Sequence, residues 1–164
     1  MVNAHPHEDP SRTTPLGMAR YASDFMEAAL AADEKMGKKD GHEIVAPVPV
    51  MFLVGQAIEL SLKAYLLLRG VSLRDLRTEY GHNLTKSLGK CIELELFTFV
   101  EFSEEELNTV HLLNEHYSSK QLQFIVTGAK TFPVFGPLER FSLKLIHAVC
   151  NQVGFRARNL PEVH

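Results

Sequence analysis

The stretch VPVMFLVGQAIELSLKAYLLLRG, Val48 to Gly70, decides the fold. Apolar residues run almost all the way round its helical projection, interrupted by Gln56, Glu59, Ser61 and Lys63. A helix of that kind has to be covered on several sides. The wider run Val45 to Leu68 is long enough to span a bilayer. A mid-span carboxylate and ammonium, however, cost roughly 2.5 to 3.5 kcal/mol each on insertion. Glu59 and Lys63 also stand four apart, the spacing of an ion pair along one helix face. The stretch therefore reads as a central helix of a water-soluble bundle, ended by Gly70. No membrane association is expected.

On the N-terminal side, Thr14 is a candidate N-cap with Pro15 in the first turn. A first helix is predicted over Pro15 to Lys38, its apolar positions being Met18, Tyr21, Phe25, Ala28, Ala29, Ala32 and Met36. On the C-terminal side, a connector over Val71 to Tyr80 leads into Gly81-His82-Asn83-Leu84. There Asn83 caps a third helix facing inward through Leu84, Leu88, Cys91, Ile92 and Leu96. Ser103 and Glu106 spell a capping box for a fourth helix running to about Ser119, with Leu107, Val110, Leu113 and Tyr117 on its core side. Gln121 to Val126 alternates like a short strand, and Gly128, Pro133, Gly136 and Pro137 predict a loop. The last helix is predicted from about Pro137 to near Gly154. The expected fold class is all-α: an up-and-down bundle of four main helices with a short irregular insert before the last one. One domain is predicted over 14–155, with flexible tails at 1–13 and 156–164.

Composition sets limits on function. The chain has 164 residues, enough for one domain with a sizeable core. Its formal charge of -3 argues against a generic, charge-driven nucleic-acid binder, though not against a local basic patch. Two cysteines, Cys91 and Cys150, exclude a disulfide framework and an all-cysteine metal site. Reduced cysteines and the lack of an export-signal pattern near Met1 predict a cytoplasmic protein.

The helix containing Ala57-Ile58-Glu59-Leu60-Ser61-Leu62-Lys63-Ala64, the break at Gly70 and the start Gly81-His82-Asn83-Leu84 with Leu88 resemble HEPN domains. These are helical bundles found in higher eukaryotes and prokaryotes. The downstream order fits as well: Tyr117 near a helix end, Gln121 to Phe124, a Pro-Gly loop and a last helix. The resemblance covers roughly Ala19 to Val153. It implies a homodimer and, in many members, a metal-independent ribonuclease, frequently a toxin paired with an antitoxin. The implied signature is Arg, four to six residues, then His, in the last helix. Here it is met by Arg140 and His147, with no cofactor and no metal expected.

The residues themselves make that chemistry reasonable. Seven residues return within about 20° on a helix, so Arg140 and His147 share one face about 10.5 Å apart along the axis. Lys144 and Asn151 share it as candidate binding residues, while Leu138, Leu145, Val149 and Val153 face the core. A histidine near neutral pKa can take a proton from a ribose 2′-hydroxyl. An arginine can hold the scissile phosphate bidentately. Against this stands chance: with eight Arg and eight His, roughly one such spacing is expected at random. The chain holds three, the others being Arg77–His82 at a loop and Arg158–His164 near the end. Phe141 also follows Arg140 where the family usually has a polar residue.

Other constellations carry less. His5, His7, Glu8 and Asp9 could hold a metal only within a tail. His111 and His116 lie about 140° apart on a helix and cannot share a ligand face. Cys91 reads as packing and not as a nucleophile. Three functions are therefore expected in order. The first is a non-catalytic interaction or nucleotide/RNA-binding module. The second is a metal-independent ribonuclease using Arg140 and His147. The third is a structural or regulatory subunit.

Overall fold

The structure is a computed structural model that describes residues 5–164. It is all-α: six helices and no strand among the described residues. They are α1 (Pro15–Met36), α2 (Val48–Leu68), the single turn α3 (Leu73–Asp75), α4 (Leu84–Glu93), α5 (Glu104–Tyr117) and α6 (Phe135–Gln152). A 3₁₀ turn at Pro6–Glu8, a π turn at Leu76–Tyr80 and a 3₁₀ turn at Leu96–Thr98 join them.

α2 sits at the centre, packed by α1, α4, α5 and α6. Val50, Met51, Val54, Ala57, Ile58, Leu62, Tyr65 and Leu66 are all fully buried on it. Burying side chains of this size contributes about 1.5 to 3 kcal/mol each. α2 is the one helix among the described residues long and apolar enough to cross a membrane, and 67% of its most apolar window is buried inside the chain. The helix ends as a Schellman motif. Gly70 has φ 92°, its N–H donates to Leu67 O at 3.1 Å, and Val71 N–H donates to Leu66 O at 3.0 Å.

Local capping follows the sequence closely. Thr14 Oγ1 accepts from Gly17 N–H, Asn83 Oδ1 from Lys86 N–H, and Ser103 with Glu106 closes a reciprocal capping box. The connector after Gly70 is more ordered than expected. Ser72 caps α3 and the chain continues into the π turn, closed by Gly81 N–H on Leu76 O at 3.0 Å.

Three expectations change. α1 buries Ala19, Ala22, Ser23, Met26 and Ala29, a stripe rotated about one residue from the predicted one, and leaves Tyr21 64% exposed. Its small side chains let α1 approach α2 closely, so packing selects the alanine face over the bulkier one. Gln121 to Val126 is a turn and not a strand. Gln121 N–H bonds back to His116 O and Phe124 N–H to Lys120 O, and of the alternating apolar residues only Leu122 is buried. No second strand offers a ladder there, and an unpaired strand has no stability of its own. Residues 156–164, expected as a tail, return to the bundle: Ala157 and Leu160 are buried. A second Schellman motif turns them back, with Gly154 at φ 80° and Phe155 N–H on Cys150 O at 2.8 Å. Residues 1–4 of the expected N-terminal tail lie outside the described residues. The remainder carries the 3₁₀ turn, whose Glu8 pairs with Arg77 at 3.0 Å.

Inside the bundle, the Glu59 carboxylate is 6% exposed and fully partnered. Lys63 Nζ donates to Oε1. Tyr117 O–H donates to Oε2 at 2.6 Å and His82 Nδ1 meets the same oxygen at 3.1 Å. Burial alone would raise the carboxyl's pKa, but the Lys63 charge and the three hydrogen bonds hold it below the ordinary value. Burial, then the Glu59 charge, keeps the Tyr117 phenol protonated, as a donor. Its ring lies against Gly55, where a Cβ would collide with it.

Two stability effects are expected. Gly55→Ala forces the Tyr117 ring off its site and costs about 1 to 3 kcal/mol, the range for overpacking, measured by urea unfolding. Because Glu59 titrates below its unfolded value of 4.5, its stabilisation is full above that pH and is lost as pH falls through the folded value. Glu59→Gln should cost about 3 kcal/mol near pH 7 and flatten the acid limb of the unfolding midpoint. An acid limb identical to that of the parent protein would contradict this.

Candidate functional site

The outward face of α6 carries the residues singled out by spacing. Its inner side is as expected: Leu138, Leu145 and Val149 are buried, and Val153 just beyond the helix is half-buried. Phe141 is wholly buried, its ring 4.4 Å from that of Phe102. The apolar residue after Arg140 is therefore a core residue. Ser142 satisfies itself by donating to Leu138 O at 2.7 Å.

The structure divides the outward face in two. Toward the N-terminal end, Arg140 and Lys144 meet the acidic first turn of α5. Lys144 Nζ lies 3.0 Å from both oxygens of Glu106. Arg140 reaches Glu106 Oε1 through Nε and Glu105 Oε2 through a terminal nitrogen, each at 3.5 Å. The Glu106 side chain is 3% exposed and also accepts from Ser103 N–H at 3.0 Å. One buried carboxylate thus closes the α5 capping box and ties α6 to α5. The cationic face expected to meet phosphate is neutralised at this end. The sequence signal for it was the run Glu104-Glu105-Glu106, read only as a helix start.

Toward the C-terminal end, His147 and Asn151 line a cleft of about 450 Å³ with Arg156, Arg158 and the returning residues Leu160 and Glu162. His147 Nε2 lies 2.8 Å from Pro161 O. A carbonyl only accepts, so Nε2 carries the proton. In the neutral ring Nδ1 is then the lone-pair nitrogen, the one able to take a proton from a ligand. Arg156 and Arg158 were not read as site residues, because they fell in the segment taken for a tail.

The remaining candidates have structural partners. His111 Nδ1 pairs with Thr85 Oγ1 at 2.9 Å, and His116 Nε2 with Thr131 O at 2.8 Å. Cys91 and Cys150 are buried; burial raises both thiols, Cys150 to about 11. Neither is a thiolate near neutral pH. Among the described residues no group of three or more His, Cys, Asp or Glu is placed to hold a metal. His7 and Glu8 instead contact Arg77.

Compared with protein-family models, curated proteins and solved structures, the chain matches none of them.

The ion pairs can be ranked by mutation. Glu106→Ala removes the glutamate half of the capping box and strands Lys144, and is expected to cost about 3 kcal/mol. Arg140→Ala, at a half-exposed guanidinium, should cost less than about 1 kcal/mol. Replacing the pair together, as Glu106→Leu with Lys144→Met, should recover much of the Glu106→Ala loss. Thermal unfolding of the four proteins checks the order.

Proposed function

We propose that the protein is a HEPN-like helical module that holds a phosphate-bearing ligand, an RNA strand or a nucleotide, without cutting it. The observation that carries this reading is the Lys144–Glu106 pair, with Arg140 drawn into it. The cations that would clamp a scissile phosphate beside His147 are occupied in holding α6 to α5. What remains open is the cleft of His147, Asn151, Arg156 and Arg158, where two guanidiniums against the single carboxylate of Glu162, with an amide beside them, suit a phosphate group. Fluorescence anisotropy with a short single-stranded RNA tests it. Binding should weaken with salt, as for any phosphate contact, and Arg156→Ala with Arg158→Ala should weaken it about tenfold or more, a loss of 1.4 kcal/mol or above. RNA should stay intact in chelator.

A second reading has its own support. His147 shares the cleft with Arg156 and Arg158, either of which could take the role expected of Arg140 in a metal-independent ribonuclease. Cleavage in chelator that disappears in His147→Ala, with the fold intact by circular dichroism, would move the assignment to that enzyme.

The homodimer belongs to the same proposal. α2 is covered over most of its length by its own chain, with Val48 and Leu68 at its two ends left 39% and 40% exposed. Among the exposed apolar side chains, Phe124, Ile125 and Val126 form a consecutive run, exposed by 66%, 78% and 51%. Those are the residues a second copy would cover. A strictly monomeric mass by light scattering at high concentration removes the dimer while leaving the binding reading open.

A further inference from the structure

A second cleft lies away from α6. It opens between α1, α2, the π turn, the start of α4 and the residues after α5, and holds about 440 Å³. Met18 and Leu76 form apolar wall, and His7, Lys63, Arg77, His82 and Lys120 bring nitrogen to it. No carboxylate lines it. That volume falls in the range of small-molecule sites, which are apolar cavities with a few fixed polar groups.

The polar groups are fixed from behind. Glu59, buried beneath the cleft, holds two of them at once: Lys63 through Oε1 and His82 Nδ1 through Oε2. A carboxylate accepts, so Nδ1 of His82 is the protonated nitrogen and Nε2 of the neutral ring remains for another partner. Tyr117 O–H anchors the same carboxylate from the far side. An imidazole oriented by a buried carboxylate while its own side chain stays 45% exposed is preorganised toward the cleft. Scaffold alone would be as well served by a histidine turned inward.

Charge identifies the ligand. Lys63 is balanced by Glu59 and Arg77 by Glu8. Lys120 forms no ion pair among the described residues. Three cations against two carboxylates leave one positive charge before either His7 or His82 takes up a proton. Lys120 also stands at φ 59°, the left-handed region that side chains enter at a cost of order 1 kcal/mol. The turn after α5 accepts that strain and places Lys120 on the cleft rim. Of the three Arg-to-His spacings in the sequence, Arg77–His82 is the one whose two ends line this cleft.

We infer that this cleft is a binding site for a small phosphorylated molecule of mononucleotide size, whose phosphate is met by Lys120 and His82 Nε2, with the paired Lys63 and Arg77 on the wall beside it, and whose apolar or planar part lies against Met18 and Leu76. It stands independently of the α6 reading, because it shares no residue with the His147 cleft.

The test uses the full chain with inorganic phosphate, AMP and adenosine as probes, read by calorimetry and by histidine imidazole NMR. AMP is expected to bind, adenosine not, and the imidazole resonance absent in His82→Gln should shift on AMP addition. Lys120→Glu, at an exposed residue outside the core, should weaken AMP binding at least about tenfold with an unchanged melting curve. Arg156→Ala with Arg158→Ala should leave AMP binding at this cleft as it was. Inorganic phosphate binding as tightly as AMP would name free phosphate as the ligand and keep the site. No binding of either phosphate probe at millimolar concentration would overturn the inference. So would binding indifferent to Lys120→Glu with the His82 resonance unmoved.

Discussion

The bundle depends on the ionised carboxylate of Glu59. Taking a bare carboxylate out of water costs several kcal/mol, so the surroundings must supply donors from fixed directions. Lys63 comes from the next turn of the same helix, His82 from the turn before α4, and Tyr117 from the last residue of α5. Each therefore has one permitted place. Tyr117 can reach the carboxylate because Gly55, one turn earlier on α2, leaves room for its ring. The helix order α2, α4, α5 is thereby locked around a single polar point inside an apolar core.

The same device recurs at the other end of α5. Glu106 is even more buried than Glu59 and serves both its own helix terminus and the cations of α6. α5 is thus a strut pinned at its C-terminal end to α2 and at its N-terminal end to α6. A buried ion pair is weak evidence for net stability, since apolar replacements often do as well. Its stronger effect is on register: a helix held by a carboxylate at each end cannot slide or rotate without stranding a charge. That is why the division of the α6 face into a neutralised half and an open half is a property of the fold and not of surface side-chain fluctuation.

The sequence revealed what is local. The apolar run of α2, the caps at Thr14, Asn83 and Ser103, and the stop at Gly70 each rest on residues within a turn of one another, and each stands in the structure. The Glu59–Lys63 pair was legible for the same reason. What was illegible is set by how helices rotate against each other. The buried stripe of α1 moved by one residue because its contact with α2 rewards close approach, which periodicity does not register. Arg140 and Lys144 read as candidate site residues because the carboxylates that hold them stand more than thirty residues away. The returning segment after Gly154 looked like a tail because it has only two well-buried residues, Ala157 and Leu160, too few for any periodic signal.

These facts change how charge should be read in a helical chain of this size. A net charge of -3 says little about phosphate recognition, because the field that matters is local and depends on which cations remain after the internal pairs are formed. Counting lysines and arginines by face gives α6 a cationic stripe. Subtracting those held by buried carboxylates removes Arg140 and Lys144 from that stripe, whereas Arg156 and Arg158 at one cleft and Lys120 at the other form no ion pair among the described residues. Both are reached by segments without regular secondary structure, which is where a rigid bundle can vary recognition without disturbing its core. The helices fix the geometry, the two buried carboxylates decide which cations belong to the scaffold, and the two proposed anion sites each draw on cations outside those pairs.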